Sequence, residues 1–266
     1  MGKRRLDTLL VDRGLVDSAD KAKAMVMAGR VLVDERPASK PGIMVDAAAQ
    51  LSLAERPKYV SRGGDKLEHA LDAFGLDVRG AVAADIGAST GGFTDCLLQR
   101  GAVRVYAIDV GRGQLDYRLR NDERVVVMEG VNARTLAALP EPVHLVTIDV
   151  SFISLRLVLP VVRRLLYVGA TLGSPVGEAS LAPTPVRGSI VALFKPPFEA
   201  KRGEVPRGGV LRDPLLHATL IGRFAAWCTA NGFRIRGLTA SPLLGSAGNR
   251  EFFFHLRPAG LDEARR

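Results

Sequence analysis

The chain has 266 residues, enough for about two domains at most. Apolar residues make up 47% and charged residues 24%, a balance that supports a packed core and excludes wholesale disorder, collagen-like and low-complexity architectures. Thirty-seven Lys and Arg stand against 28 Asp and Glu, a net charge of +9 that favours a polyanionic partner, nucleic acid above all.

The first block reads as a short α+β pattern. Leu6, Leu9 and Leu10 share one helical face, with Asp7 near its start and Gly14 at its end. Ser18 caps a second helix over 19–28, with Ala22, Met25 and Val26 turned inward and Gly29 closing it. Strands are expected at 31–33, 43–45 and 51–53, with a turn at 34–37. Lys21 and Lys23 fall on the solvent face of the second helix, and Arg30 lies just past its end. Residues 1–64 carry 12 Lys or Arg against 8 Asp or Glu. The expected division is a small domain at 1–56, a linker at 57–62 and a larger domain at 63–266.

From residue 65 the pattern changes. A helix over 65–74 carries the stripe Leu67, Ala70, Leu71 and Phe74. Strands at 82–86, 103–109, 125–128, 143–150 and 190–194 then alternate with helices at 93–100, 114–120, 155–167 and 214–231. Strands at 233–240 and 251–256 close the chain. This alternation predicts an α/β fold with a doubly wound, mostly parallel sheet, preceded by the small α+β domain. The Gly- and Pro-bearing stretch 169–188 is expected to be a flexible inserted loop. Cys96 and Cys228 lie in apolar helical patterns and read as core rather than as a disulfide or zinc pair. His69, His144, His217 and His255 show no ligand spacing, so no metal site is expected. The basic N-terminus runs into an amphipathic pattern rather than a secretory signal, and no run nears the ~20 apolar residues of a membrane span. A cytoplasmic protein is the expectation, and oligomeric state is not legible.

The clearest chemical signal is the run from Asp85 to Phe93, Asp-Ile-Gly-Ala-Ser-Thr-Gly-Gly-Phe, between an apolar strand and a helix. Glycines there let backbone approach a ligand, and the helix start offers free N–H groups. The spacing is neither the dinucleotide fingerprint nor a P-loop. A second strand ends in Asp109, where a carboxylate can accept both hydrogen bonds of a ribose diol. Gly-rich turn and flanking acids together suit S-adenosylmethionine. Asp149, Lys195 and Glu251 sit at ends of predicted strands, and Lys66 begins a helix. Ligands bind at the C-terminal ends of parallel strands, so these charges are candidates for proton transfer.

Residues 59–256 resemble the TlyA family, haemolysin-related rRNA methyltransferases of the wider FtsJ-like ribose 2′-O-methyltransferase group. The matching runs begin at Tyr59, Asp85, Asp109, Asp149, Lys195, Gly209 and Ser241. Residues 5–53 resemble the RNA-binding domain first known from a small-subunit ribosomal protein. The resemblance implies a Rossmann-like class I methyltransferase fold, with S-adenosylmethionine as cofactor and rRNA in ribosomal subunits as partner. The target it implies is a cytidine ribose, and it implies no membrane. It places a catalytic tetrad on Lys66, Asp149, Lys195 and Glu251. Lys195 would be the base for the 2′-hydroxyl, Asp149 would orient and depress that lysine, and Lys66 and Glu251 would hold the ribose. The implied cofactor residues are Asp85, Gly87, Ala88, Ser89, Gly91, Gly92, Phe93, Asp109, Val110, Asn132 and Asp149. The implied RNA contacts are Arg4, Arg5, Lys21, Lys23, Arg30 and Arg62. Three places depart from the family pattern: Pro197 stands where Gln is usual, Ala19 where Arg is common, and 169–188 is long. The alternatives are a catalytically silent ribosome-assembly factor, against which the full tetrad argues, and a haemolysin-like protein.

Overall fold

The computed structural model describes residues 2–27, 29–54, 57–136, 138–166 and 188–259, in two compact units, Met1–Pro57 and Lys58–Arg266. Most of the 169–188 stretch lies outside the described residues, as do the expected helix ends at Ala28 and Tyr167.

The first unit contains β1 (Lys3–Arg5), α1 (Leu6–Asp12), α2 (Ala19–Met27), β2 (Val31–Val33), β3 (Arg36–Pro37), β4 (Met44–Asp46) and β5 (Leu51–Leu53). β1 pairs antiparallel with β4, and β2 lies between β3 and β5. The two helical stripes do what their spacing requires. Leu6, Leu9, Leu10, Ala22 and Val26 are buried together with Val31 and Val45. β1 has no pattern that announces a strand, since all three of its residues are basic and exposed; pairing with β4 makes it one.

The second unit contains α3 (Gly63–Ala73), β6 (Val82–Ile86), α4 (Gly92–Gln99), β7 (Arg104–Asp109), α5 (Tyr117–Arg120), β8 (Val125–Glu129), β9 (Leu145–Ile148), α6 (Leu155–Val162), β10 (Ser189–Phe194), α7 (Pro196–Glu199), α8 (Pro214–Ala230), β11 (Phe233–Ala240) and β12 (Phe252–Pro258). The strands form one sheet in the order β11-β12-β10-β9-β6-β7-β8. Strands β6 to β10 run parallel; β12 runs antiparallel to β10, and β11 antiparallel to β12. Alternation along the strands divides the core. Ile86, Ile108, Ile148 and Phe194 pack against α6 and α8, while Ala83, Ala107 and Leu193 pack against α3 and α4. Cys96 and Cys228 are both buried and free.

Two helices are shorter than their apolar pattern predicts. α5 starts at Tyr117 rather than 114, because Asp116 is extended and its side chain caps the Arg118 N–H. α6 ends at Val162, after Pro160, and continues as a single 3-10 turn at Arg163–Leu165. The topology places the site. Strand order reverses between β6 and β9, and the chain leaves β6, β7, β9 and β10 on the same edge. A ligand crevice is expected at that switch point.

Candidate active site

The turn after β6 has a backbone that few side chains allow. Gly87 has φ +84° and Gly91, the N-cap of α4, has φ +97°. A Cβ on Gly87 would run into the Asp149 carbonyl, so the first glycine lets the turn lie against the β9 exit. The Gly87 and Ala88 N–H groups donate to the Ile108 carbonyl at 2.8 and 3.2 Å. Ser89, itself at φ +50°, donates its N–H to Asp109 Oδ2 at 2.8 Å, while Gly111 N–H reaches Asp109 Oδ1 at 2.7 Å. Asp109 is thereby aimed by two backbone donors.

A cavity of about 710 Å³ opens at this turn, within the rough 300–1,000 Å³ span of small-molecule sites. Gly87, Ser89, Asp109, Val110, Asn132 and Asp149 line it, with Ile108 and Ala133 adding apolar wall. The apolar wall, the oriented carboxylate at the second strand and the turn at Gly87 fit an adenosine-bearing cofactor. Ala88, Gly92 and Phe93 line a second, smaller cavity next to it. Gly91 packs against Leu115 and Leu119 instead. Asp85 is behind the turn, fully buried, and accepts hydrogen bonds from Thr94 Oγ1 at 2.7 Å and Thr147 Oγ1 at 3.0 Å. Burial pushes its carboxyl up to about 7. Asp85 therefore supports the turn from beneath and does not reach the cavity wall.

The second cavity, about 250 Å³, gathers the four charged candidates from four segments. Lys66, in the first turn of α3, donates from Nζ to Glu251 Oε2 at 2.6 Å, and only 12% and 6% of the two side chains are exposed. Lys195 Nζ lies 2.6 Å from Asp149 Oδ1 and donates to Ser151 Oγ at 2.9 Å. Gly87, Ser89 and Asp149 belong to the walls of both cavities. A third hollow of about 400 Å³ lies on the far side of Lys195 and Glu251. It is bounded by Phe152, Phe198 and the 245–249 turn. Phe152 is 91% exposed at φ +63°, its ring 5.2 Å from that of Phe198. Pro197 falls in the first turn of α7, where an N–H would have no helical partner, so replacing the usual Gln does not break the backbone.

Reading the sequence assigned no part to Ser151, Phe152, Glu199 or Ser246. The first three stand in the same runs as Asp149 and Lys195, which is the one signal they carried; Ser246 carried none.

The candidate RNA contacts in the first unit are paired, four of them exposed and Arg30 half-buried. Arg4 bonds Asp12, Arg5 bonds Asp7 at 2.6 Å, Lys21 bonds Asp17 at 2.6 Å and Lys23 reaches Asp20 at 3.3 Å. Arg30 donates to the Ala54 carbonyl at 3.3 Å. Arg62 belongs to the second unit, exposed at the start of α3 and on the wall of the 250 Å³ cavity. Among the described residues no helix is long and apolar enough to cross a membrane, and no group of three or more His, Cys, Asp or Glu is set to hold a metal ion.

Comparison with known proteins bears on this geometry. The FtsJ-like methyltransferase model matches residues 59–258, and the S4 domain model matches residues 4–51. The Mycobacterium tuberculosis 16S/23S rRNA (cytidine-2′-O)-methyltransferase TlyA is 44% identical over 260 residues, covering 96% of this chain and 90% of that one. Hemolysin A of Brachyspira hyodysenteriae is 37% identical over 254 residues, covering 94% of this chain and 98% of that one. The solved structure of a "putative hemolysin" from Streptococcus thermophilus superposes with a TM-score of 0.69 at 40% identity, over 98% of this chain and 90% of that one. Fold and these matches define an S-adenosylmethionine-dependent methyltransferase joined to an S4 domain. The chain belongs to the FtsJ-like methyltransferase family.

Proposed function

We propose that the protein methylates the ribose 2′-hydroxyl of a cytidine in rRNA, acting on ribosomal subunits in the cytoplasm. One observation carries the reading: Lys66, Asp149, Lys195 and Glu251 line a single cavity whose wall is shared with the cofactor cavity. The relatives' printed activity, rRNA (cytidine-2′-O)-methyltransferase, supports the substrate, and the S4 domain supports an RNA partner. The two units are read as an RNA-binding domain and a methyltransferase domain.

When bound, S-adenosylmethionine supplies a methyl group activated by its sulfonium. Asp109, Asn132 and the turn at 87–89 would hold its nucleoside half. A ribose hydroxyl is a poor nucleophile at neutral pH, so it needs both a base and a fixed position. Lys195 Nζ receives the hydroxyl proton as a neutral amine, having first given a proton to solvent. Asp149 and Ser151 aim that amine from two sides. A carboxylate attracts an ammonium, so Asp149 orients the lysine; the depressing influence expected of it requires a like charge instead. Lys66 and Glu251, held to each other, present a donor and an acceptor to the ribose. The hollow between Phe152, Phe198 and the 245–249 turn receives the target base, which a single-stranded or extruded nucleotide can offer. The requirement for a 2′-hydroxyl selects RNA over DNA.

The test is transfer of labelled methyl to purified small and large ribosomal subunits by the wild type and by Lys195→Ala. Label on a subunit that survives alkaline cleavage as a protected ribose, and is absent with the variant, is the expected result. No label on either subunit from a protein that binds donor would overturn the reading.

A further inference from the structure

Glu199 lines none of the cavities described, yet it is a carboxylate with only 8% of its surface exposed. Its partners all lie on the segment leading from Asp149 into α6. Oε2 accepts from Ser154 Oγ at 2.7 Å, Oε1 accepts from the Leu155 N–H at 2.6 Å, and Arg156 Nε stands 3.8 Å away. Capping of α6 does not require it, because the Ser154 hydroxyl already accepts from the Arg156 N–H at 3.2 Å. Burying a carboxylate is costly unless it is well bonded, so a carboxylate reaching across from another segment needs a further reason.

That reason lies in what the two segments carry. Segment 149–155 bears Asp149, Ser151 and Phe152; segment 195–199 bears Lys195 and Phe198. They touch at three points: Lys195 on Asp149 and Ser151, the Phe152 ring on Phe198, and Glu199 on Ser154 and Leu155. The left-handed backbone of Phe152 also needs surroundings that hold it. We propose that Glu199 is a positioning residue for methyl transfer, pinning segment 149–155 to segment 195–199 and so setting where Asp149 and Ser151 hold the Lys195 amine. The proposal rests on Lys195 being the base.

The experiment follows acetylation of Lys195 and Lys66 in the intact chain by peptide mass spectrometry, beside single-turnover methyl transfer and donor affinity. Glu199→Ala removes the pin. Glu199→Gln keeps it, since an amide oxygen accepts from the Leu155 N–H and its NH₂ donates to Ser154 Oγ. Expected with Glu199→Ala are a several-fold rise in Lys195 acetylation, no change at Lys66, and a fall in single-turnover rate at saturating donor of about tenfold or more, larger than any loss of donor affinity, since residues 149–154 also line the 710 Å³ cavity. Glu199→Gln returns all of these to wild-type values. Glu199→Asp, with a shorter reach, is expected to give the same selective rise and stands in should the alanine variant not fold. An unchanged Lys195, or an equal rise at Lys66, overturns the pin. Absence of Lys195-dependent methyl transfer in the wild type would sink the functional reading alone, because the Lys195 to Lys66 ratio still decides the pin.

Discussion

Asp85 is a carboxyl group with no exposed surface, and two threonine hydroxyls do not offset its burial. Its carboxyl is raised from 3.8 to about 7. The folded state then binds this proton more tightly than the unfolded chain, so stability falls as pH rises from about 4 to 7 and is flat with respect to this group above that. Asp85→Asn removes the titration. The stability of that variant relative to wild type is expected to improve by about 3 kcal/mol between pH 5 and pH 8, read from urea denaturation at each pH. A difference independent of pH would mean that the carboxylate stays charged throughout. The Lys66–Glu251 pair makes a different prediction. Removing one member leaves a nearly buried charge without its partner, so Lys66→Met and Glu251→Gln are each expected to cost about 3 kcal/mol. The double variant should cost less than the sum by about 1–3 kcal/mol, measured by denaturant midpoints. Additive losses would show that the two side chains do not act as a pair.

The turn between β6 and α4 joins sequence to function through backbone alone. Gly87→Ala is expected to meet two obstacles, a positive φ and an Asp149 carbonyl that cannot swing aside as a side chain would. Strain of about 1–3 kcal/mol should lower thermal stability, and displacement of Asp149 should weaken donor binding at least about tenfold by calorimetric titration. Gly75→Ala is the control: it has φ +61° but open space around it, so it should lose stability and keep the donor. Intact donor binding in Gly87→Ala would remove the turn from the site. The main strands were legible because β6, β7, β9 and β10 are apolar runs that end in, or run directly into, a turn or a lone charge, and that same feature marked Asp109, Asp149 and Lys195. Convergence was not legible in the residues themselves: Lys66 and Glu251 are 185 residues apart, and the packing of α3 against the sheet beside β12 brings them together. β1 escaped notice because its strand character comes from β4, and α6 read too long because periodicity does not register Pro160. Glu199 escaped because a buried carboxylate looks like a solvated one until its partners are known.

The distribution of charge differs from what the first block suggested. Residues 1–57 hold ten Lys and Arg against eight Asp and Glu, a net +2, whereas residues 58–266 hold 27 against 20, a net +7. The excess expected over residues 1–64 depended on Lys58 and Arg62, and both fall in the second unit. Arg4, Arg5, Lys21 and Lys23, moreover, each have an acidic partner within the first unit. Binding to a polyanion gains from counterions released, and single strands give a slope of about −0.7 in log affinity against log salt for each phosphate neutralised. A unit in which four of the ten cations already face carboxylates should contribute fewer such terms, and its contacts should favour register on the RNA over bulk attraction. Residues 58–266 alone are therefore expected to bind an rRNA fragment more weakly than the full chain while keeping more than half of its salt slope, read by fluorescence anisotropy across a salt series. Donor affinity should be unchanged, because every residue lining the 710 Å³ cavity proposed for the donor belongs to the second unit. Loss of nearly the whole slope on truncation would assign the phosphate contacts to the S4 domain after all, and loss of donor binding would show that the methyltransferase unit does not hold its cofactor independently.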